Sequence, residues 1–457
     1  MDTVKPANVI STRIFSLKDV LYVSLVFVLL LNGSNFLVRA LKKIAAFKIP
    51  RHWPVSEFYR FTIIPQKILL AASALVLFYY ILKYLSSVTR KGINIIGLGI
   101  LLVLITNFFQ GVVFGFILPI TSKLFPATEL WQYYDQAVKI SHPMYFFSHF
   151  ESFQLGLYQH SITHPPGATL IFYWLHKLCK DPALIAILIA VFSVFVSGIF
   201  LYKILSRELE AELSGYVTFL FLLIPAIQIY YLACLEALVA SLLLGALFFF
   251  IHPKPIVSIA GSILFLFFSS CLTFLFVFIF PVLFGYQFLK KRSPIKPIII
   301  LLGIVISHAV IYHIFHYNYL NSFWIASSYE NIGRATPLFH TLEYLVTRLE
   351  GVFEIILFFG PFLGILFLRG MRARNTDSSF LRDLTTLGVS TLIIMFIAGF
   401  FRTGETARIC LFIYPYLIFP VAAYFKEIRV SPDEKVQVLA LVFIQTVIMQ
   451  LLGSYYW

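Results

Sequence analysis

The sequence predicts an all-α integral membrane protein, and three observations carry that expectation. Of the residues, 60% are hydrophobic and only 12% charged, against roughly 25% charged in a soluble domain. Long apolar runs recur from Leu17 onward, and as helices they are suited to a hydrocarbon core roughly 30 Å thick. The period-2 alternation of a membrane barrel is absent, so the spans are read as helices.

In chain order the apolar runs suggest about thirteen transmembrane helices. They lie near residues 18–38, 68–82, 94–119, 183–203, 214–231, 237–251, 257–269, 273–289, 296–317, 351–368, 384–401, 409–425 and 438–454. The first run lacks a small-residue cleavage site and is followed by Arg39, Lys42 and Lys43, so it reads as a retained helix rather than a signal peptide. The seventh and eighth are separated only by Ser269-Ser270-Cys271. The chain divides into an N-terminal two-helix membrane segment, residues 1–93, a transmembrane region, 94–425, and a C-terminal loop with the last helix, 426–457. The middle region includes a long external loop, 120–182, that carries short interfacial helices.

A net charge of +14 raises nucleic acid as a partner, but the basic residues are scattered between apolar runs, as in membrane loops, and nucleic-acid binding is excluded. Cys179, Cys234, Cys271 and Cys410 have neither metal-ligand spacing nor a disulfide framework and read as isolated buried thiols.

Lys and Arg in short loops set the orientation. Lys290, Lys291, Arg292 and Lys296, then Arg369, Arg372, Arg374 and Arg382, then Lys426, Arg429 and Lys435 mark cytoplasmic loops. Alternation places 120–182, the turn at Glu236, 318–350 and 402–408 on the non-cytoplasmic side. Residues 39–67 hold seven basic residues yet fall outside by the same alternation. Asp135, Glu151, His164, Glu236, Glu330, Glu350, Glu354, Glu405 and Arg408 all lie at or near the external face, which is the expected active face.

Residues 135–167 form a polar stretch with acids, four histidines and a rigid Pro-Pro-Gly. In Thr163-His164-Pro165-Pro166-Gly167 the prolines keep the chain extended up to His164 and allow a helix to start after it. The following short segment, with Tyr173 and Trp174, suits an interfacial surface helix. This turn reads equally as a helix start and as part of a site.

Asp135 follows aromatic residues at the membrane surface, where a carboxylate can accept a proton from an attacking hydroxyl. Glu236 sits at the mouth of a span, where it is either a functional acid or a helix-start charge favoured by the dipole. Arg402 and Arg408 bracket a compact polar turn and offer guanidinium forks suited to phosphate; an internal Glu405–Arg408 pair is the plain alternative. His308, His313 and His316 spread around a helix axis, which argues against a metal site.

These elements together resemble the GT-C superfamily of polytopic glycosyltransferases, in the lipid-phosphate-sugar-dependent group of protein O-mannosyltransferases, lipid A aminoarabinose transferases and Rgt-like transferases. The matching features are Tyr134-Asp135-Gln136 in the first long external loop, the His164-Pro165-Pro166 turn, Leu235-Glu236-Ala237 after the next helix pair, and Gly404-Glu405-Thr406-Ala407-Arg408-Ile409. The likeness covers roughly residues 94–425. Asp135-Gln136 departs from the Asp-Glu of many relatives, Glu236 is not followed by Pro, and Ser270-Cys271-Leu272-Thr273 stands where relatives often carry Thr-Lys-Gly.

The resemblance implies an inverting transfer of a sugar from a polyprenyl-phosphate donor to a hydroxyl of a glycan, lipid or protein on the non-cytoplasmic face. Asp135, Glu236 and His164 would be catalytic, with Asp135 as general base. Arg402, Glu405, Arg408, Pro165 and Pro166 would bind substrate. No cofactor is required outright, and a divalent metal ion is left open. The enzyme would be an integral multi-pass protein among membrane lipids, in the cell membrane of a prokaryote or the endoplasmic reticulum of a eukaryote. The competing classes are a transporter or lipid flippase, whose mark is interrupted midplane helices, and a noncatalytic glycosyltransferase-like subunit. Turnover of a lipid-linked sugar by the purified protein separates the first class from both.

Overall fold

The computed structural model describes residues 14–44, 65–83, 92–107, 120, 132–330, 341–372, 379–400, 405–452 and 455, and every regular element among them is helical. The protein is an integral, multi-pass membrane protein. Eight described helices are long and apolar enough to cross a membrane: Pro65–Lys83, Pro182–Leu205, Pro255–Leu272, Phe274–Lys291, Ile295–Phe315, Phe380–Ile397, Leu411–Ile428 and Pro432–Leu452. The bent pair Thr347–Phe359 and Pro361–Arg372 adds a ninth if counted as one span.

The expected count of about thirteen spans exceeds these eight or nine for identifiable reasons. Leu235–Phe250 is apolar but has 16 residues, a rise of about 24 Å, short of a roughly 30 Å core, and of the 94–119 run only the part in Gly92–Asn107 lies among the described residues. The 214–231 run is split into Ala211–Leu222 and Pro225–Tyr230. The first run forms the helix Leu17–Ile44, and the basic loop that follows it lies largely outside the described residues.

Proline sets many of the boundaries. Pro143, Pro166, Pro182, Pro225 and Pro255 each open a helix, where the missing N–H costs nothing and the fixed φ is already helical. At the opposite terminus Arg292 and Arg429 cap their helices in the left-handed conformation, with their charge at the negative end of the dipole. The Ser269-Ser270-Cys271 triplet stays helical, and the break comes at Thr273, whose side chain accepts from Leu275 N.

Two spans that read as straight runs are interrupted. The 351–368 run bends by 98° between its two halves. Gly360 makes the bend with φ +104°, and a Cβ there would meet Gln445 Oε1 at 2.7 Å. At the other break, Leu222 O accepts from Gln228 Nε2 at 2.6 Å and Leu223 O from Thr446 Oγ1 at 2.8 Å. Asn107 Nδ2 donates to Gln228 O at 2.6 Å, and Thr106 Oγ1 to Gln228 Oε1 at 3.0 Å. Three neighbouring polar side chains, those of Gln228, Thr446 and Asn107, thus satisfy backbone groups that lipid could not.

Contacts sort the charged residues to two ends of the bundle. At one end Arg207 donates to Ile251 O, Lys290 pairs with Asp383, Lys435 pairs with Glu212, Ile14 N donates to Glu434, and Arg369 donates to Ile14 O. Of these, Lys290, Arg369 and Lys435 belong to the basic loops that the positive-inside rule assigns to the cytoplasm, and the contacts place Arg207 and Ile14 at the same end. Glu236 lies at the far end of the same helix, Leu235–Phe250, whose C-cap is Ile251.

Candidate functional site

The opening of the surface helix Pro166–Leu178 anchors the site at that far end. Pro165 is its N-cap and Pro166 its first residue, both buried. Thr169 Oγ1 donates to Ser161 Oγ at 3.0 Å, which ties the turn to the helix. A Cβ on Gly167 would sit 2.3 Å from Cys271 O, so only glycine lets this helix start press against the end of Pro255–Leu272. Within the helix Tyr173 is buried and Trp174 exposed, so of the two aromatic residues only Trp174 is turned outward.

His164 is oriented by its own turn. Its Nδ1 lies 3.1 Å from His160 O and 3.0 Å from Thr163 Oγ1. A carbonyl can only accept, so the neutral ring carries its proton on Nδ1 and keeps the Nε2 lone pair. Tyr133 packs edge-on against His164 at 5.4 Å and stacks on His160 at 5.5 Å and on Phe172 at 5.9 Å. Tyr133 belongs to the short helix Tyr133–Ala137, which Tyr134 clamps to the surface helix through His176 Nδ1 at 3.0 Å.

Three further elements bring charge to the same place. Glu236 occupies the first turn of Leu235–Phe250, where the helix dipole favours a carboxylate. Arg408, in the short helix Thr406–Ile409, pairs with Glu405 and holds Glu236 Oε1 3.6 Å from its Nε. Glu354 accepts from Thr406 N at 2.8 Å and so caps that short helix from a neighbouring one. Of the two readings of this turn the internal Glu405–Arg408 pair forms, and the same guanidinium also reaches Glu236.

The electrostatics follow from partial burial. The side chains of Glu236, Arg408 and Glu405 keep 18%, 12% and 18% of their surface open, so none of the three is fully closed off. Burial opposes the charge on Arg408, but Glu405 and Glu236 outweigh it and raise the pKa. His164 also retains some open surface, yet the protein around it lowers its pKa through burial, with Arg408 adding to the effect and Glu236 working against it. Burial, then Arg408 and His164, hold His160 well below the usual imidazole value. Both rings are therefore neutral near pH 7.

The remaining expected residues are placed as follows. Asp135 is half-buried on the helix that carries Tyr133, and residues two apart on a helix do not share a face. Its carboxylate thus lies off the side on which Tyr133 meets His164. Glu151 accepts from Asn318 N, and burial raises its pKa against that bond. Arg402 lies outside the described residues. Among the described residues no three His, Cys, Asp or Glu side chains are grouped to hold a metal ion. His308 Nε2 instead bonds Ser270 Oγ at 2.8 Å.

Comparison of the chain with protein-family models, with curated proteins and with solved structures finds no match.

Some contributors were not legible in advance. Ala233, three residues before Glu236, has φ 59°, a left-handed conformation that costs an L-residue roughly 1–2 kcal/mol. No residue type announces this, since alanine carries no turn signature. Tyr133 and His160 were passed over as well, although His160 and His164 have the i,i+4 spacing that places side chains together within a helical turn.

Proposed function

We propose that the chain is a membrane glycosyltransferase that moves a sugar from a polyprenyl-phosphate carrier to an acceptor hydroxyl on the non-cytoplasmic face, with inversion. The observation that supports this most is the half-open Glu405–Arg408–Glu236 ion-pair chain with the neutral His164 within electrostatic reach of it. The cluster offers one cation for a leaving phosphate and carboxylates for proton transfer. It lies at the end opposite the basic loops, where a lipid-linked donor can present its head with its tail between helices.

In the proposed reaction the acceptor oxygen attacks the anomeric carbon as the bond from that carbon to the phosphate oxygen breaks. The acceptor proton passes to Asp135 as general base, a role that rests on the Tyr134-Asp135-Gln136 resemblance and requires the acceptor to approach from the side of that helix turned away from His164. The phosphate leaves on the lipid, and Arg408 stabilises its charge, with Arg402 proposed as a second cation. Glu236 holds Arg408 in place until the phosphate binds. The 3.6 Å Glu236 contact is loose enough for an anion to displace, since charge-assisted bonds close to about 2.8 Å. His164 Nε2, with its lone pair, accepts from a donor hydroxyl and positions the sugar.

A second reading has its own observation. The breaks at 222–225 and at Gly360 are interruptions of the kind that transporters place at their substrate sites, which favours a transporter or flippase. Against it, side chains already satisfy Leu222 O, Leu223 O and Gln228 O at the first break, so these carbonyls are not held ready for an ion. Incubating the purified protein with radiolabelled polyprenyl-phosphate sugars and recording the mass of any product separates the readings. A glycosylated product supports the enzyme; movement of intact lipid-linked sugar across proteoliposomes with no product supports the transporter.

A further inference from the structure

The cytoplasmic end carries a second convergence of charge that the proposed reaction does not use. Arg207 Nη1 donates to Ile251 O at 2.6 Å, and Lys296 Nζ donates to the adjacent carbonyl, Phe250 O, with its ammonium 4.3 Å from the centre of the Phe250 ring. Lys291 and Arg207 both act electrostatically on Lys296. Two cations, one in the turn after Pro182–Leu205 and one in the first turn of Ile295–Phe315, therefore meet at the C-terminus of Leu235–Phe250, and a third adds to the field.

A helix C-terminus accounts for part of this charge, since its partial negative end favours a cation. It does not account for two full charges with a third beside them. Lys290 already pairs with Asp383 at 3.3 Å, and Glu208 follows Arg207 in sequence. None of the ion pairs among the described residues includes Arg207 or Lys296. Each uses one donor on a carbonyl, which leaves two N–H donors on the ammonium and most of the guanidinium fork.

The surroundings are lipid-facing. Lys296 lies in the first turn of Ile295–Phe315, the least buried of the candidate spans, with 11% of its apolar window inside the protein. Ile299, Leu302 and Ile306 form an exposed apolar stripe leading away from Lys296 along that helix. An anion seated on Arg207 and Lys296 would thus have hydrocarbon-compatible surface beneath it. A free inorganic anion would leave that surface unexplained, whereas an amphiphile fits both parts.

We propose that Arg207 and Lys296 form a binding site for the phosphate headgroup of an anionic phospholipid of the inner leaflet, whose acyl chains lie along Ile299, Leu302 and Ile306. Basic pockets between spanning helices on the cytoplasmic side are suited to such headgroups. The site is independent of the cluster at Arg408.

Native mass spectrometry of the full chain released from nanodiscs of mixed phosphatidylcholine and phosphatidylglycerol tests the proposal. The chain is expected to retain phosphatidylglycerol preferentially. Arg207→Gln with Lys296→Gln should lower that retention by about tenfold or more, while Lys296→Arg should preserve it. Should the double variant aggregate, Arg207→Gln alone, at an exposed position, should lower retention by roughly fivefold. Equal retention of the two lipids, or unchanged retention in the folded variants, overturns the site. Thermal stabilisation by inorganic phosphate equal to that by phosphatidylglycerol overturns the assignment to lipid.

Discussion

Arg408 Nε lies 3.6 Å from Glu236 Oε1, and this contact joins a late polar turn to the first turn of a mid-chain helix. Neither side chain is fully open to water, so the pair is coupled more strongly than a surface pair, whose median value is about 0–1 kcal/mol. It is also not so buried that desolvation must cancel the gain.

A double-mutant cycle on this pair should therefore give a measurable coupling. Arg408→Gln and Glu236→Gln are expected to interact by about 1–2 kcal/mol in thermal or denaturant unfolding. Arg408→Lys should recover only part of the loss, because a lysine has no planar fork to serve Glu405 and Glu236 at once. Additivity within about 0.3 kcal/mol would mean that the contact contributes nothing.

The two histidines make stability pH-dependent in a defined direction. Both folded-state pKa values are lowered from the usual 6.5, so below that pH the unfolded chain binds more protons than the folded one. Stability then rises with pH across this window and is lost as pH falls from 6.5 toward the lowered values. Melting temperature should decline on acidification below pH 6.5, and His160→Asn should flatten the decline. A wild-type melting temperature that is constant from pH 7 to pH 5 contradicts the placement of these rings.

Two small residues carry opposite expectations. Ala233 at φ 59° should accept glycine without loss, and Ala233→Gly is expected to be neutral or stabilising by up to about 1 kcal/mol. Gly167→Ala places a Cβ 2.3 Å from a backbone oxygen, which must displace a helix start, at a cost of about 1–3 kcal/mol. Thermal unfolding of both variants checks the pair. A destabilised Ala233→Gly or a native-like Gly167→Ala contradicts the backbone geometry.

The membrane class and the segregation of charge were legible because both are properties of composition along the chain. Apolar runs report the helices, and Lys and Arg in short loops report their ends. Glu236, Glu405, Arg408 and His164 were assigned to one face on that basis; ion pairs join the first three, and His164 lies within their electrostatic reach. That Glu354 would cap Thr406 was not legible, because it depends on how the helix before Gly360 packs, which no local pattern encodes. The broken span at 222–225 escaped for a related reason. Its hydrophobicity is continuous, and the polar groups that close it, Asn107, Gln228 and Thr446, come from three separate helices. Pro225, Gly360 and Pro361 were the local signals of interruption.

The most direct test of the proposed reaction is transfer from a labelled polyprenyl-phosphate sugar by purified wild-type, Asp135→Asn, Glu236→Gln, Arg408→Gln and Glu151→Gln proteins, with melting measured on each. The expected result is product from the wild type and a mild effect of Glu151→Gln. Asp135→Asn should lower transfer by roughly 10² to 10⁴-fold at nearly unchanged melting temperature, and Arg408→Gln should lower it by at least about 10²-fold. Near-native transfer in Asp135→Asn, with loss in Glu236→Gln, would move the base to Glu236. No product from the wild type with any lipid-linked sugar, or native transfer in Arg408→Gln, would contradict glycosyl transfer at this cluster.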